Sequence, residues 1–145
     1  MSGPPVTSKR FDELTTSELY GLLRLRCDVF VVEQTCAYAD LDGRDTEPGT
    51  VHHWIADDAG RIDAYLRTLV EPDDSTRVGR VVTAPSERGR GLAARLVQHV
   101  GASTPGTIVL DAQSHLVGWY EQLGYAVDGP EFVEDGIPHV PMRRA

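Results

Sequence analysis

No run of apolar residues in this chain approaches the roughly twenty needed to cross a bilayer, so a spanning helix is excluded as its organising element. Cysteine is scarce. Cys27 and Cys36 lie nine apart, with no C-x-x-C and no Cys/His pair at metal-ligand spacing, so they read as two reduced thiols, and no metal is expected. Positive charge is also short: 14 Lys and Arg face 22 Asp and Glu, a net charge of −8. That balance argues against nucleic-acid or anionic-membrane partners and mildly favours a cationic small one. The first five residues, Met1-Ser2-Gly3-Pro4-Pro5, lack the basic-then-apolar pattern of a secretory leader, so the expectation is a loose tail on a cytoplasmic protein. There is no internal repeat, low-complexity segment or interdomain linker, and 145 residues suit a single domain with a real core.

What is present is clear local punctuation. A short first strand is expected over residues 6–11. Thr15 and Glu18 form a capping box, and Leu19, Leu22, Leu23, Cys27 and Phe30 mark one face of a helix over about 15–31. Residues 33–45 lose all periodicity and gain acid, which predicts a long loop. Its Asp40, Asp42 and Asp45 have the glycine misplaced for a calcium loop and no closing Glu. Residues 51–56 and 61–69 read as a hairpin around Asp57-Asp58-Ala59-Gly60, followed by a third antiparallel strand over 77–83. Then come a helix over about 90–101, a short buried strand over 107–111, and a second helix capped by Ser114 with Leu116, Trp119, Tyr120 and Leu123 inward and Gly124 as its stop. A last hairpin turns at Asp135-Gly136 and joins residues 125–134 to 137–143.

The stretch Arg88-Gly89-Arg90-Gly91-Leu92-Ala93 combines strand exit, glycines, arginines and helix start, which is the chemistry of a phosphate cradle. Unpaired N–H groups at a helix N-terminus attract an anion, and glycine admits it closely. Gly89 to Ala94 also matches the dinucleotide pattern G-x-G-x-x-A, with Asp111 twenty residues after Gly91. Architecture counts against that rival, because only 34 residues follow Asp111 and the first 85 read as a helix plus an antiparallel meander. A P-loop is excluded, since no Gly-Lys-Ser/Thr follows.

The run from Val81 to Ala93 resembles the acetyl-CoA motif of the GNAT acetyltransferases, Arg/Gln-x-x-Gly-x-Gly/Ala, with Arg88, Gly91 and Ala93 in the key places. Trp119-Tyr120-Glu121-Gln122-Leu123-Gly124-Tyr125 resembles the family's second hallmark. Residues 25–34, Asp40-Leu41-Asp42-Gly43, Ala112-Gln113-Ser114-His115-Leu116 and residues 134–139 are similar to the ElaA-like branch. The resemblance implies a mixed α/β (α+β) fold, a mostly antiparallel sheet of about seven strands flanked by helices and splayed between the fourth and fifth.

By the same resemblance, Val81, Val82 and Thr83 pair with the pantetheine arm of acetyl-CoA as an added strand would, and Arg88, Gly89, Arg90, Gly91, Leu92 and Ala93 hold its pyrophosphate, with Gln113 also on the cofactor. An amine, of a small molecule or of a peptide, attacks the thioester directly, and one amide of Val82 or Thr83 steadies the thioester oxygen. Tyr120 is the family's acid for the departing thiolate. For the base, Glu33 leads, with Glu134, Asp135 and His139 as further candidates. His52 and His53 are neighbours on a strand and point to opposite faces, one expected buried and the other exposed; His99 is expected on the exposed side of its helix, and Cys27 on a core stripe. The expected activity is an acetyl-CoA-dependent N-acetyltransferase, monomeric or homodimeric. The alternative is a non-catalytic acyl-CoA-binding or sensing protein.

Overall fold

A computed structural model describes residues 5–145. The expected loose tail therefore lies outside the described residues except for Pro5, which is exposed. The strands are β1 (Thr7–Arg10), β2 (Val51–Ala56), β3 (Ile62–Val70), β4 (Thr76–Thr83), β5 (Ile108–Gln113), β6 (Ala126–Val127), β7 (Phe132–Glu134) and β8 (Ile137–Arg144). The helices are α1 (Thr16–Arg26), α2 (Leu92–Ser103) and α3 (Val117–Gln122). The described strands make one sheet in the order β1-β2-β3-β4-β5-β8-β6, with β7 also on β8, and every pairing is antiparallel except β4 with β5. Eight strands replace the expected seven or so because Gly129-Pro130 interrupts the segment before the last turn, and proline has no N–H to donate to a ladder.

α1 starts as its capping box dictates: the Glu18 amide donates to Thr15 Oγ1 at 3.1 Å and the Thr15 amide to Glu18 Oε1 at 2.9 Å. Beyond Arg26 the chain widens over Cys27–Glu33, and the Gln34 amide reaches five residues back to the Val29 carbonyl at 2.9 Å. The buried face passes to one side of Cys27, whose own amide still makes the α-helical bond to the Leu23 carbonyl. Leu22, Leu25, Val29 and Phe30 pack on Trp54, Ile62, Tyr65 and Val82, while Cys27, expected on the core stripe, is half-buried and Arg26 is fully enclosed.

On the sheet's other face α2 buries Leu92, Leu96, Val97 and Val100 against Leu66, Val78, Ile108, Leu110 and Met142. Each such side chain contributes roughly 1.5–3 kcal/mol on burial. With both faces covered, neither strand histidine reaches solvent, which corrects the expected buried/exposed split. His52 bonds the Tyr65 hydroxyl at 2.6 Å and the Asp45 carbonyl at 3.0 Å. His53 lies between the Ser8 hydroxyl at 2.8 Å and the Thr68 hydroxyl at 3.1 Å, its ring 5.9 Å from that of His99, which is half-buried.

Ser114 does not cap α3. It opens a tight turn over Ser114–Leu116 and its hydroxyl donates to Glu131 at 2.7 Å, so that the helix proper begins at Val117. The last hairpin turns where expected, with Asp135 and Gly136 at φ of 52° and 77°. Among the described residues no helix is long and apolar enough to cross a membrane.

Candidate functional site

β4 and β5 touch at only two register pairs, Thr76 with Ile108 and Arg77 with Val109. Beyond them each strand keeps its outer neighbour: β4 stays with β3 as far as Thr83, and β5 stays with β8 as far as Gln113. The sheet therefore opens into a wedge. Along one wall the backbone of residues 78–83 has no β5 partner, leaving an extended edge whose N–H and C=O groups match those of an elongated amide-bearing ligand. A bulge interrupts this edge: Tyr65 faces Val82 and Arg67 faces Gly79, so β4 carries one extra residue, and Arg80 takes φ of 54°.

The edge leads through Pro85–Glu87 into the expected cradle. Gly89 and Gly91 have φ of 84° and 74°, a conformation that strains any side chain, and a Cβ on either would meet no protein atom within 4 Å. The space above them is open. Gly91 stands at the N-cap of α2 with no side-chain cap, and the first turn holds no acidic residue. The helix N-terminus thus lacks a carboxylate of its own, as an anion site requires. Leu92 is buried and anchors that turn; Ala93 is half-buried beside it.

Both cradle arginines are held by carboxylates, which sequence spacing does not reveal. Arg88 makes a two-pronged pair with Glu33, Nη1 to Oε2 at 2.7 Å and Nη2 to Oε1 at 2.6 Å, and its Nε donates to the Thr83 carbonyl at 3.3 Å. Arg90 pairs with Glu87, which also accepts from Arg61 at 3.0 Å. The bond from Arg88 holds Glu33 below the usual carboxylate range. Glu33 is therefore ionised at neutral pH, and it meets the cradle although 55 residues separate it from Arg88.

Tyr120 is buried in the cluster that also contains Val78 from β4, Leu92 from α2, and Leu110 and Ala112 from β5, with Val81 packed on it, so it belongs to the core spanning the wedge. Its ring meets those of Trp119 and Tyr125 edge-on at 4.8 and 6.1 Å. Burial, and secondarily the neighbouring Tyr125, push its hydroxyl well above the ordinary phenol range, so it stays protonated at neutral pH. Gln113 ends the opposite wall, half-buried, in register with His139. The other base candidates lie at the β7–β8 hairpin. His139 stacks on Phe132 at 5.7 Å with Nδ1 2.8 Å from the Ile137 carbonyl, and Glu134 and Asp135 are exposed. The Cys36 thiol reaches the Asp135 carbonyl at 3.2 Å, which joins the acidic loop to the hairpin tip.

That loop is organised by a second cluster of charges. Arg26, fully enclosed, donates to Asp40 Oδ2 at 3.0 Å, Asp45 Oδ1 at 2.7 Å and the Asp40 carbonyl at 2.8 Å. Arg67 donates to Asp42 Oδ1 at 2.9 Å and Asp45 Oδ1 at 3.0 Å. Arg80, from the bulge, meets Asp40 Oδ1 at 2.9 Å and Asp42 Oδ2 at 3.3 Å, with its guanidinium 5.4 Å from the centre of the Tyr38 ring. Burial alone would raise the pKa of Asp42 and Asp45, but the arginine hydrogen bonds outweigh it and hold both low. The three aspartates that resemble fragments of a calcium loop are thus satisfied by guanidiniums. The signal available in sequence was three arginines set in otherwise apolar segments, followed or preceded by three loop aspartates.

An acetyltransferase (GNAT) domain family matches residues 24–145. The chain is 42% identical over 136 residues to the UPF0039 protein Rv2851c of Mycobacterium tuberculosis, covering 91% of this chain and 87% of that one. It is 38% identical over 141 residues to protein ElaA of Escherichia coli, covering 91% and 90%. Among solved structures, an acyl-CoA N-acyltransferase from Pseudomonas aeruginosa superposes with a TM-score of 0.88 at 38% identity, covering 97% of this chain and 99% of that one.

Proposed function

The chain belongs to the GNAT acetyltransferase family, and from that premise we propose that it acts as one domain transferring the acetyl group of acetyl-CoA to the amine of a small molecule or a peptide amino group. One observation carries the reading: the unpaired edge of β4 runs directly into a helix N-terminus that has no cap and no acid of its own. Pantetheine amides suit the edge at Val81, Val82 and Thr83, and a pyrophosphate suits the space over Gly89 and Gly91.

Acetyl-CoA supplies the activated thioester. An amide of Val82 or Thr83 donates to the thioester oxygen as charge develops there. An alkylammonium titrates near pH ~10 and must lose a proton before it attacks; Glu33, ionised, takes that proton directly or through water. Tyr120, kept protonated by burial, gives its proton to the departing sulfur. Gln113, on the far wall, contributes a polar contact to the donor.

The test is a panel of polyamines, amino acids, aminoglycosides and peptides assayed for release of free CoA thiol, with acetyl-CoA binding followed by calorimetry. Turnover on at least one amine is expected, and Tyr120→Phe should lower kcat by about 10²-fold or more at little cost in acetyl-CoA affinity. Absence of acetyl-CoA binding would remove the proposal. Gly91→Val places a β-branched residue at φ of 74° and crowds the cradle, so it should weaken acetyl-CoA binding; unchanged affinity would put the phosphates elsewhere.

A further inference from the structure

We propose that Glu33 and Arg88 form a latch on the phosphate cradle: the Glu33 carboxylate and the donor's pyrophosphate compete for one guanidinium, so donor binding frees Glu33 to serve the acceptor. This rests on the reading of residues 88–93 as the pyrophosphate site. The geometry is specific. Arg88 uses both prongs of its fork on Glu33, at 2.6 and 2.7 Å, while its Nε holds the Thr83 carbonyl at the end of the free strand edge. A phosphate taken up in the same two-pronged manner needs the same N–H groups, so both anions cannot be fully bound at once.

Other features make the pair exchangeable. Side-chain exposure is 44% for Arg88 and 43% for Glu33, so water already competes for it. Glu33 ends the widened turn that follows α1, whereas Arg88 belongs to the loop before α2, so the bond joins two elements that can separate without unfolding either. Arg90 is different: its partner Glu87 sits three residues back in the same loop. Once free of Arg88, Glu33 loses the interaction that depresses its proton affinity and becomes the better base. The base is thus weakest when no acyl donor is present, and the order of events is donor first, acceptor deprotonation second. Reciprocity requires that whatever removes Glu33 from Arg88 tightens donor binding by the same factor.

CoA itself is the probe, with its Kd measured by calorimetry at low salt on the wild type, Glu33→Gln, Arg88→Gln and the double variant. Both substitutions are at exposed positions and leave the core intact. Glu33→Gln should bind CoA about two- to fivefold tighter than wild type, the range expected for an exposed ion pair. Arg88→Gln should bind several-fold more weakly, and in its background Glu33→Gln should change nothing. If Glu33→Gln fails to tighten binding, or tightens it equally when Arg88 is absent, the latch is overturned while the pyrophosphate site stands. If Arg88→Gln binds CoA as the wild type does, the Arg88 side chain takes no part in holding the pyrophosphate and the latch is overturned, while the backbone cradle is judged separately by Gly91→Val.

Discussion

The molecule holds two arginine–carboxylate clusters of the same chemistry and opposite consequence. In the interior, Arg26, Arg67 and Arg80 meet Asp40, Asp42 and Asp45, three charges against three, with Arg26 wholly enclosed and Arg67 nearly so. At the cradle, Arg88 meets Glu33, and Arg90 and Arg61 share Glu87, all with exposed guanidiniums. Burial separates the two cases. An enclosed pair cannot trade its partner for water, so it fixes a position; an exposed pair is worth little and can be traded for a better anion. The interior cluster ties the loop after α1 to β3 and to the β4 bulge, which holds the open edge in place. The surface cluster leaves the phosphate site ready for exchange.

The largest expected effect tests this contrast directly. Arg26→Leu removes the fully enclosed guanidinium that Asp40 and Asp45 share, leaving them only Arg80 and Arg67, and should cost about 3–5 kcal/mol in urea unfolding, whereas Arg88→Leu should cost at most about 1 kcal/mol. Similar costs would break the comparison. Acid is the next probe. Burial, and then the charge of His99, lower the His53 pKa to about 4 from its ordinary 6.5. The unfolded chain therefore takes up a proton that the folded one refuses, and stability should fall as pH drops from 6.5 towards 4, by about 3 kcal/mol over the window. The low values of Asp42 and Asp45 act in the same sense further down: their stabilisation is complete above the unfolded carboxylate range and lost as pH falls through the folded values. Denaturant midpoints against pH should show both components in the wild type, and in Arg26→Leu a carboxylate component reduced by the Asp45 share, since Arg67 still holds Asp42.

Tyr125 gives a smaller effect. Its hydroxyl is buried with no hydrogen-bond partner among the described residues, unlike every carboxylate of the interior cluster. Tyr125→Phe should raise stability by about 1 kcal/mol, read as a higher Tm; a fall in Tm would mean the hydroxyl is satisfied in solution. The smallest effect belongs to the cradle again. Glu33→Gln should leave unfolding within about 0.5 kcal/mol of wild type while altering CoA affinity. A large stability loss there would make the latch a structural bond.

Much of the fold was legible in residues close together in the chain. Thr15 and Glu18 cap α1, Asp57 to Gly60 and Asp135-Gly136 turn two hairpins, the apolar stripe of α2 meets the sheet, and Gly89 and Gly91 take positive φ. Such features depend on sterics and hydrogen bonds within a few residues, and sequence encodes those directly. Ser114 misled because Glu131, seventeen residues on, competes for its hydroxyl. Cys27 stands where the regular helix ends and the widened turn begins, and the buried face through Leu22, Leu25, Arg26 and Val29 passes to one side of it.

Local sequence by itself therefore determined the elements, the order of the antiparallel meander and the glycine turn at the start of α2. Only the tertiary structure decided which arginine meets which carboxylate. The charges are visible in sequence, but an ion pair is a matter of distance and burial. The path of residues 34–50 carries Asp40, Asp42 and Asp45 onto Arg26, Arg67 and Arg80, and the end of the widened turn after α1 brings Glu33 to Arg88. Whether such a pair pins the chain or yields to a ligand depends on the solvent around it, which is set only once both faces of the sheet are covered.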